Sequence, residues 1–394
     1  MNLSSDERGN NPRKFELYSS FTLAAILIGL LAATNSFFDT ASQYWSLAES
    51  LLQGKLYFLS MPMGWGDTAF FEGHYYWPLG VLPAIFLIPF VWSGFYHQGA
   101  LCFLAVLGVF YLCFRLAQKL GYSREDACWF AIAFCFGTSF IGVAAVPVSW
   151  SYATVLAVLF LFFAIYEFQG ARRFLIIGLF VGLAMASRPL TGLNSLFFAG
   201  AILCSIARWK QKVISLAQFT VPVSLIALAI AWYNFQRFGN PLETGYTYQI
   251  DAIGRIVAEV SLPGNNPGSL FSLSNILDHF IVFAFGLPDK TATGTSVFLL
   301  SPFLVFLVAP ARRWDTMDYM LAVNIFILML VALAFRSTGA RQIGYRFSLD
   351  YLPFVFWLLM RRRSELSRGF KNLVGCAVII DLALVVYHAS IRFN

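Results

Sequence analysis

The sequence predicts an all-α polytopic membrane protein with about 11 transmembrane helices and further juxtamembrane helices on its outer face. Of the 394 residues, 59% are hydrophobic and 12% are charged, whereas a soluble chain carries roughly 25% charged residues. The apolar runs are continuous and do not alternate with polar residues, so they indicate spanning helices and not barrel strands. The composition excludes a soluble globular protein, a disordered chain and a disulfide-rich secreted module.

The apolar runs that are long enough to span define the expected helices. They are residues 18–37, 98–118, 127–145, 148–168, 174–188, 190–207, 213–235, 295–310, 317–335, 347–360 and 371–388. A further apolar segment, residues 79–95, contains Pro83 and Pro89, and internal prolines disfavour a straight helix. We therefore expect residues 79–95 to lie in the membrane interface or to re-enter, and not to cross.

Short clusters of Lys and Arg between the spans predict the orientation. They are Arg8/Arg13/Lys14, Arg115/Lys119/Arg124, Arg172/Arg173, Arg208/Lys210/Lys212, Arg312/Arg313 and Arg361/Arg362/Arg363. If residues 79–95 do not cross, every cluster falls on the cytoplasmic side, as the positive-inside rule requires. We predict one domain over residues 1–394 in the inner or cell membrane, with a cytoplasmic tail at 1–17 and an outer C-terminus. The outer face then receives the unusual connections, which are 38–97, the turn around Arg188, 236–294 and 336–346.

The net charge of +7 follows from these loop clusters, so we expect membrane lipids as partners and no nucleic acid. The six cysteines lie inside apolar runs, and the chain has no CxxC pair. The cysteines therefore predict neither a disulfide framework nor a structural zinc site.

Residues 37–58 predict an amphipathic helix along the membrane surface. Its apolar positions are Tyr44, Trp45, Leu47, Ala48, Leu51 and Leu52. Asp39-Thr40 is the expected N-cap, and Gly54 is the expected end of the helix. Asp39 is thus held near the bilayer edge, where it is either the cap alone or a candidate catalytic carboxylate.

Aromatic and ionisable residues crowd into residues 64–86, in the outer loop that follows. Ring faces stack on sugars and on isoprenoid chains, so we predict substrate or lipid contacts in this region and on the neighbouring helix. The candidates are Tyr44, Glu72, His74, Tyr75 and Tyr76. Asp67, Glu72 and His74 are possible ligands of a divalent metal, but their spacing matches no established pattern, so we predict no metal site and no cofactor.

Arginines on the predicted outer face run against the positive-inside bias of the chain. Arg188 lies in a membrane-boundary turn, and Arg336, Arg341 and Arg346 fall within residues 336–354. Guanidinium matches phosphate with a two-pronged hydrogen-bond geometry, which favours an anionic ligand. Anchoring to lipid headgroups is the alternative. The connection 236–294 is longer than a plain connector needs, and it predicts a binding loop or lid.

Several motifs occur in a fixed order along the chain. Asp39 follows the first span, Tyr44 and Leu51-Leu52-Gln53-Gly54 lie in the surface helix, and Gly-x-Tyr-Tyr-x-Pro-x-Gly-x-x-Pro runs from Gly73 to Pro83. RFGNPLETGY and GYRFSLDYLPF come later. This set resembles the GT-C superfamily of integral-membrane glycosyltransferases, which includes protein O-mannosyltransferases and bacterial aminoarabinose transferases. The resemblance covers most of the chain.

The resemblance implies a GT-C-like fold and an inverting glycosyltransferase that acts at the outer face. The donor would be a polyprenyl-phosphate-linked sugar, and the acceptor a hydroxyl of a glycan, lipid or protein. Asp39 matches the general base of the family, and Arg188 matches a cationic position that faces the donor phosphate in related enzymes. Arg341 and Arg346 lie where family members have a basic outer loop before a Leu-Pro helix, and we expect them to bind the donor phosphate together with Arg188. Several relatives carry a second carboxylate between the third and fourth spans, where this chain has VAAVPVSWSYA and no acid. A two-carboxylate or metal-assisted scheme is therefore not carried over.

Other classes of protein stay open on the sequence. A ligase or polymerase that uses a polyprenyl-diphosphate glycan needs the same outward basic site. A lipid or sugar transporter or flippase usually has ionisable residues within its spans, and Asp381 is the clearest such residue here, with Glu167 and Asp350 near span ends.

Overall fold

The computed structural model describes residues 11–37, 42–60, 67–95, 97–251, 253–260, 268–288, 294–308, 312–339 and 342–393. Within these residues, six helices are long and apolar enough to cross a membrane, by length and composition. They are Glu16–Ser36, Gln98–Lys119, Ser149–Phe168, Trp209–Phe238, Thr316–Ala334 and Arg368–His388. The chain is therefore a helical membrane protein. The finer count of about eleven spans stays a prediction, because the other expected spans form shorter or interrupted helices.

The helices run in chain order with little other structure. They are α1 Asn11–Phe37, α2 Gln43–Leu52, α3 Leu82–Ser93, α4 Gln98–Lys119, α5 Arg124–Phe136, α6 Phe140–Ala144, α7 Ser149–Phe168, α8 Phe174–Ser187, α9 Ser195–Leu203, α10 Trp209–Phe238, α11 Asn275–Phe285, α12 Val297–Leu300, α13 Thr316–Ala334, α14 Leu352–Arg362 and α15 Arg368–Phe393. Four 3-10 helices cover Pro189–Asn194, Tyr246–Tyr248, Pro302–Leu307 and Arg346–Asp350. Two short strands, β1 Ala69–Phe71 and β2 His74–Tyr76, form one hairpin.

The expected span 127–145 is not one helix, and this part of the prediction was wrong. Helix α5 ends at Phe136 and α6 begins at Phe140. Between them, the Thr138 hydroxyl donates to the Phe134 carbonyl at 2.7 Å and accepts from the Phe140 N–H at 3.1 Å. A threonine side chain that bonds nearby backbone groups in this way competes with the helical hydrogen bonds.

A 3-10 helix that begins at a proline forms part of two further expected spans. Residues 190–207 form a 3-10 turn and then α9, and residues 295–310 form α12 and then a second 3-10 turn. Each 3-10 turn starts with a proline, Pro189 or Pro302. Proline disfavours a helical conformation in the residue before it and has no N–H to donate. Neither span is therefore a single α-helix, contrary to the expectation.

The surface helix is present as α2, but its N-cap differs from the expected one. The Ser42 hydroxyl accepts from the Trp45 N–H at 3.4 Å, so the assignment of the cap to Asp39-Thr40 was wrong. Gly54 follows the helix with φ +69°, as predicted. Most of the predicted apolar side is buried, but Leu52 is 45% exposed and the predicted polar residue Ser50 is fully buried.

The aromatic loop is partly a β-hairpin, which the all-α prediction missed. Strands β1 and β2 pair antiparallel, and the turn consists of Glu72 and Gly73. Both turn residues have positive φ, 47° and 79°, and a two-residue hairpin turn of the I′ type requires this. The hairpin is too short to give a clear alternating signal in the sequence.

The long connections meet at one end of the helix bundle, which we call the loop end. It comprises the described residues of 42–97, 144–151, 186–194, 239–296 and 336–351. Gln249 donates to the Asp67 carboxylate at 2.9 Å, and Arg336 donates to the Tyr246 carbonyl at 2.8 Å. Connections distant in sequence therefore contact one another there. The sequence predicted that they share one face of the protein.

Basic clusters lie at the other end of the bundle, which we call the basic end. It comprises residues 119–126, 166–173, 312–318 and 360–371. Arg312 donates to the Arg361 carbonyl at 2.8 Å, and Arg361 pairs with Asp318 at 2.9 Å. Tyr122 donates to the Met360 carbonyl at 2.8 Å. These basic clusters lie together at the end of the bundle opposite the long connections. The sequence predicted that basic loops and long connections lie on different sides.

Helix α3 lies within the segment 79–95, and both of its flanks lie at the loop end. A Cβ at Gly80 would come within 2.1 Å of the Ala186 carbonyl oxygen, so only glycine fits there. After the helix, Gln98 donates to the Pro147 carbonyl at 2.6 Å. The segment thus starts and ends at the same end of the bundle, which is the path expected of a segment that does not cross. The close packing also explains one glycine of the motif that runs from Gly73 to Pro83.

Candidate functional site

A buried ion pair lies at the loop end, where α8 and the fourth 3-10 helix meet. Arg188 directly follows α8, and its Nε and Nη2 donate to the two carboxylate oxygens of Asp350 at 2.6 and 2.9 Å. Its Nη1 donates to the Thr154 hydroxyl at 3.0 Å. The two charged side chains are 9% and 1% exposed. Arg188, a predicted phosphate ligand, is therefore engaged by a carboxylate in this structure.

Amides extend this pair into a polar network. Asn194 donates to the Asp350 carbonyl at 3.1 Å, and Asn324 donates to the Asn194 side chain at 2.9 Å. The network joins the turn after α8, helix α13 and the GYRFSLDYLPF stretch. It holds that stretch in place under the loop end.

Removing one member of the Arg188–Asp350 ion pair is expected to destabilise the protein strongly. Arg188→Ala leaves the Asp350 carboxylate buried without its counter-charge, and such a change typically costs about 3–5 kcal/mol. Replacing both residues by leucine or methionine should restore most of the loss. Thermal denaturation of purified variants measures this. Arg255→Ala, which breaks the pair of the exposed Arg255 side chain with Asp251 and leaves that carboxylate bonded to two backbone N–H groups, is the matched control and should cost about 1 kcal/mol or less. Equal stability of Arg188→Ala and the control would contradict the assigned role.

Arg346 is the arginine that stays open to a ligand. Its backbone N–H bonds the Gln342 side chain, but within the described part of the chain its guanidinium has no hydrogen bond and no ion pair. The guanidinium carbon lies 5.7 Å from the ring centre of Trp150 and 5.4 Å from that of Phe347. Two aromatic faces therefore hold the cation in place without neutralising it.

A pocket opens beside this guanidinium. It is a small recess, and Arg346 and Trp150 line it together with Ser139, Ser151, Gln342 and Gly344. Hydroxyl, amide and guanidinium groups thus face one space beside an indole ring. The chemistry of this lining, a cation with hydroxyl and amide groups, suits an anionic group.

The charges around Arg346 define its electrostatics. Burial lowers the pKa of Arg346, Asp67 raises it, and the neighbouring Arg188 lowers it further. Burial raises the pKa of Tyr246, which lies near Arg188 and Arg346. An anion bound beside Arg346 would offset both the burial and the repulsion by Arg188.

Two predicted site residues, Asp39 and Arg341, lie outside the described residues. The residues that flank Asp39 are described: Asn35 donates to the Ala144 carbonyl at 2.8 Å, and the Ser42 hydroxyl bonds the Gln98 side chain. Gln98 in turn contacts Pro147. The Asn35 flank therefore contacts the 144–147 turn directly, and the Ser42 flank is linked to it through Gln98. Val146 of this turn lines the Arg346 pocket.

The predicted aromatic contacts divide into packing residues and exposed ones. Tyr44 is fully buried and packs edge-on against Trp77, with ring centres 5.6 Å apart. Tyr76 is 7% exposed and packs against Phe238 at 5.1 Å. These positions make both residues part of the protein core in this structure.

The other three candidates belong to the hairpin. Glu72 and His74 are exposed, and Tyr75 is half-buried. The His74 ring stacks on Tyr57 at 4.0 Å with an interplanar angle of 11°. Within the described ranges, no three His, Cys, Asp or Glu side chains come together as possible metal ligands.

Sequence reasoning missed the role of Asp350 and the contribution of Trp150 and Tyr246. Asp350 lies inside the GYRFSLDYLPF stretch, only four residues after Arg346. The position of Asp350 so close to Arg341 and Arg346 indicates that it forms an ion pair. Its actual partner, Arg188, is distant in sequence. Only the fold brings the two together.

Comparison with protein-family models, with curated proteins and with solved structures gives no match for this chain. The resemblance to the GT-C superfamily therefore rests on the ordered motifs alone, and the activity that it implies is a proposal.

Proposed function

We propose that this protein is an inverting glycosyltransferase that moves a sugar from a polyprenyl-phosphate carrier to an acceptor hydroxyl at the loop end. One observation carries the proposal: the guanidinium of Arg346, which makes no ion pair or hydrogen bond among the described residues, borders an open pocket beside Trp150. A carrier phosphate is the kind of anion that such a cation binds. The aromatic and apolar surroundings suit the isoprenoid chain and the sugar.

The proposed reaction needs one base and one anion site. The Asp39 carboxylate takes the proton of the acceptor hydroxyl, and the hydroxyl oxygen forms a bond to the anomeric carbon of the sugar. The bond from that carbon to the phosphate oxygen breaks, and the electron pair leaves with the lipid phosphate. Arg346, together with Arg341, stabilises the charge that grows on the phosphate. No cofactor takes part in this scheme.

Arg188 has a supporting part in the proposal. Its pairing with Asp350 removes it from direct phosphate binding in this structure. It still adds positive charge near Arg346, and it orders the stretch that carries Arg346. The acceptor, a glycan, a lipid or a protein, would approach over the hairpin, where the exposed His74 ring is stacked on the half-buried Tyr57 ring.

The carrier pool of living cells tests the proposal. Cells that lack the protein should accumulate a sugar-linked polyprenyl monophosphate, because its consumer is missing, and reintroduction of the gene should clear it. Mass spectrometry of extracted lipids measures this pool. Accumulation of a polyprenyl-diphosphate glycan would indicate the ligase or polymerase alternative. An unchanged lipid pool would contradict the transferase proposal.

The proposed orientation places the basic end in the cytoplasm and the loop end outside. After replacement of the exposed Cys204 and Cys376, single cysteines at Lys210 and Arg313 should resist a membrane-impermeant thiol reagent in intact cells. Cysteines at Leu242 and Ile253, which are 86% and 73% exposed, should react. Reaction of Lys210→Cys from outside would reverse the orientation and move the proposed site to the cytoplasm.

A further inference from the structure

The last helix, α15, carries an acid that the proposed reaction does not use. Asp381 lies within the segment Arg368–His388, which is long and apolar enough to cross a membrane. The residue is fully buried, and neither of its carboxylate oxygens has a hydrogen-bond partner among the described residues. An ionisable residue inside a membrane is costly, and such residues usually have a functional role. The state of this carboxyl group therefore needs an explanation.

The position of Asp381 follows from its neighbours on the same face of α15. Four residues earlier, the Ala377 methyl group lies 3.3 Å from the place that a Cβ at Gly137 would take. Three residues later, Leu384 packs in one cluster with Ile343. Residues three and four apart share a helix face, so Asp381 lies between these two contacts.

Two interrupted spans meet at these contacts. Gly137 lies in the break between α5 and α6, and Ser301 lies in the break between α12 and the 3-10 helix that follows it. The Ser301 hydroxyl donates to the Gly137 carbonyl at 2.8 Å, which joins the two breaks. Leu300, directly before Ser301, belongs to the same cluster as Leu384. Asp381 is therefore buried at the depth where both spans are interrupted.

The elements that pack most closely against α15 bring no charge to this depth. They are α5, α6, α12 and the 3-10 helix Pro302–Leu307, and the last three have no ionisable residue. The ionisable residues of α5 are two thiols and a charged first turn: Cys128, Cys135, Arg124, Glu125 and Asp126. The charged turn begins the helix at the basic end, and its last residue is about 15 Å along the helix from Phe136.

The nearest basic side chains of α15 lie on either side of Asp381. Lys371 is about 15 Å away along the helix, and it pairs with Glu125 and Asp126 at 2.5 and 3.0 Å. His388 follows Asp381 by about two turns, or about 10 Å along the helix. Neither of them is a hydrogen-bond partner of the Asp381 carboxyl group.

An ionised Asp381 would be a buried charge without a counter-charge. Such a charge costs far more in an apolar environment than the neutral acid does, so a carboxyl group in this situation takes up a proton. A proton needs no additional space, which agrees with the close packing of Ala377 against Gly137. Loss of the proton would place a charge on the helix face that holds α15 against the two breaks.

We propose that Asp381 is a proton-binding site inside the membrane, and that release of its proton loosens α15 from the two interrupted spans. The site does not rest on the proposed transferase function. Ile343, which packs with Leu384, also lines the Arg346 pocket. A movement of α15 would therefore also shift one wall of that pocket.

Asp381→Asn tests the proton site, because the amide has the size of the acid and stays uncharged. Titration of the full chain with sodium dodecyl sulfate in detergent micelles measures the folding equilibrium from about pH 5 to about pH 8, where a carboxyl group of the unfolded chain is ionised. The folded state then holds one proton more than the unfolded state, so wild-type stability falls as the pH rises. The folding equilibrium constant of wild type, divided by that of Asp381→Asn, should fall by up to tenfold per pH unit. Groups that titrate in both proteins, such as His388, cancel in this ratio.

Asp126→Asn is the matched control, since Asp126 packs against the same helix but is paired with Lys371. It should be less stable than wild type at every pH and keep the wild-type slope. Hydrogen exchange gives the local readout: α15 and residues 137–143 should exchange faster in wild type than in Asp381→Asn at about pH 8, and equally at about pH 5.

Three results would each overturn the assignment. They are parallel stability profiles of wild type and Asp381→Asn, equal hydrogen exchange of the two proteins at both pH values, and a wild-type stability that depends on sodium ions at constant pH and ionic strength. The last result would indicate a metal ion in place of the proton. None of these measurements uses a sugar donor, so they are independent of the transferase proposal.

Discussion

Replacing Asp39 by asparagine is expected to leave a folded protein whose sugar transfer is reduced by about 10²–10⁴-fold. This is the range typical for loss of a general base. Asparagine keeps the size of the side chain, but it does not accept the proton of the acceptor hydroxyl. The rate of transfer in membranes, set against the amount of folded protein, measures the effect.

Identification of Ser42 as the N-cap sharpens this prediction. If Asp39 were the cap of α2, its replacement would act on stability as well as on catalysis. The Ser42 hydroxyl instead accepts the Trp45 N–H, so loss of the Asp39 carboxylate should not remove the cap. Asn35, before Asp39, contacts the 144–147 turn, and Ser42, after it, is linked to that turn through Gln98. Val146 of the turn lines the Arg346 pocket, beside which the proposed base has to act.

Ser42→Ala is the matched control for Asp39→Asn. It removes the cap and also the hydroxyl that donates to the Gln98 side chain, so it should cost about 1–3 kcal/mol of stability, with transfer per folded molecule within a few-fold of wild type. The reverse pattern, a slow Ser42→Ala and an active Asp39→Asn, would remove Asp39 from the mechanism and return it to a structural role.

Arg346→Ala is expected to weaken binding of polyprenyl phosphate by about 10–100-fold, the range of a lost charge-assisted contact. Transfer should fall as well, because the contact strengthens while the phosphate gains charge. Folding should change little, since the guanidinium has only ring contacts within the described residues. Each such contact contributes about 1 kcal/mol. Binding to purified protein and transfer in membranes are the two measurements.

Two further variants show which property of Arg346 matters. Arg346→Lys keeps the charge and loses the two-pronged geometry, so it should fall between wild type and alanine. Arg255→Ala is the control at the same end, because Arg255 is half exposed and already paired with Asp251 at 2.7 Å. Equal loss of binding in Arg255→Ala would mean that general positive charge, and not a site at Arg346, attracts the phosphate.

The membrane fold is largely predictable from the sequence, because burial in lipid demands long apolar helices. Composition alone indicates spans such as α4, α7 and α10. The breaks at Thr138 and Pro302 were harder to predict. A proline signals a break, but whether a span continues beyond it depends on tertiary packing. The hairpin after Asp67 escaped prediction because three-residue strands carry almost no periodic signal.

One residue of the candidate site, Arg346, could be predicted from the distribution of charge along the sequence. Arg346 stood out because arginines on the predicted outer face run against the bias of the chain. Its freedom from a partner could not be predicted, and neither could the pairing of Arg188 with Asp350, since the members of that pair are 162 residues apart. Tyr44 and Tyr76 were predicted to contact a ligand because they are aromatic. Aromatic rings also pack in protein cores, and both of these side chains are buried there.

Photo-crosslinking with a polyprenyl phosphate that carries a diazirine next to its phosphate tests the central claim most directly. After irradiation of the purified chain, mass spectrometry should find the label on peptides that contain Trp150 and Phe347, and Arg346→Ala should abolish that labelling. The dephosphorylated alcohol with the same diazirine should not label these peptides. Labelling confined to other parts of the chain, or equal labelling by the alcohol, would contradict a carrier-phosphate site at Arg346.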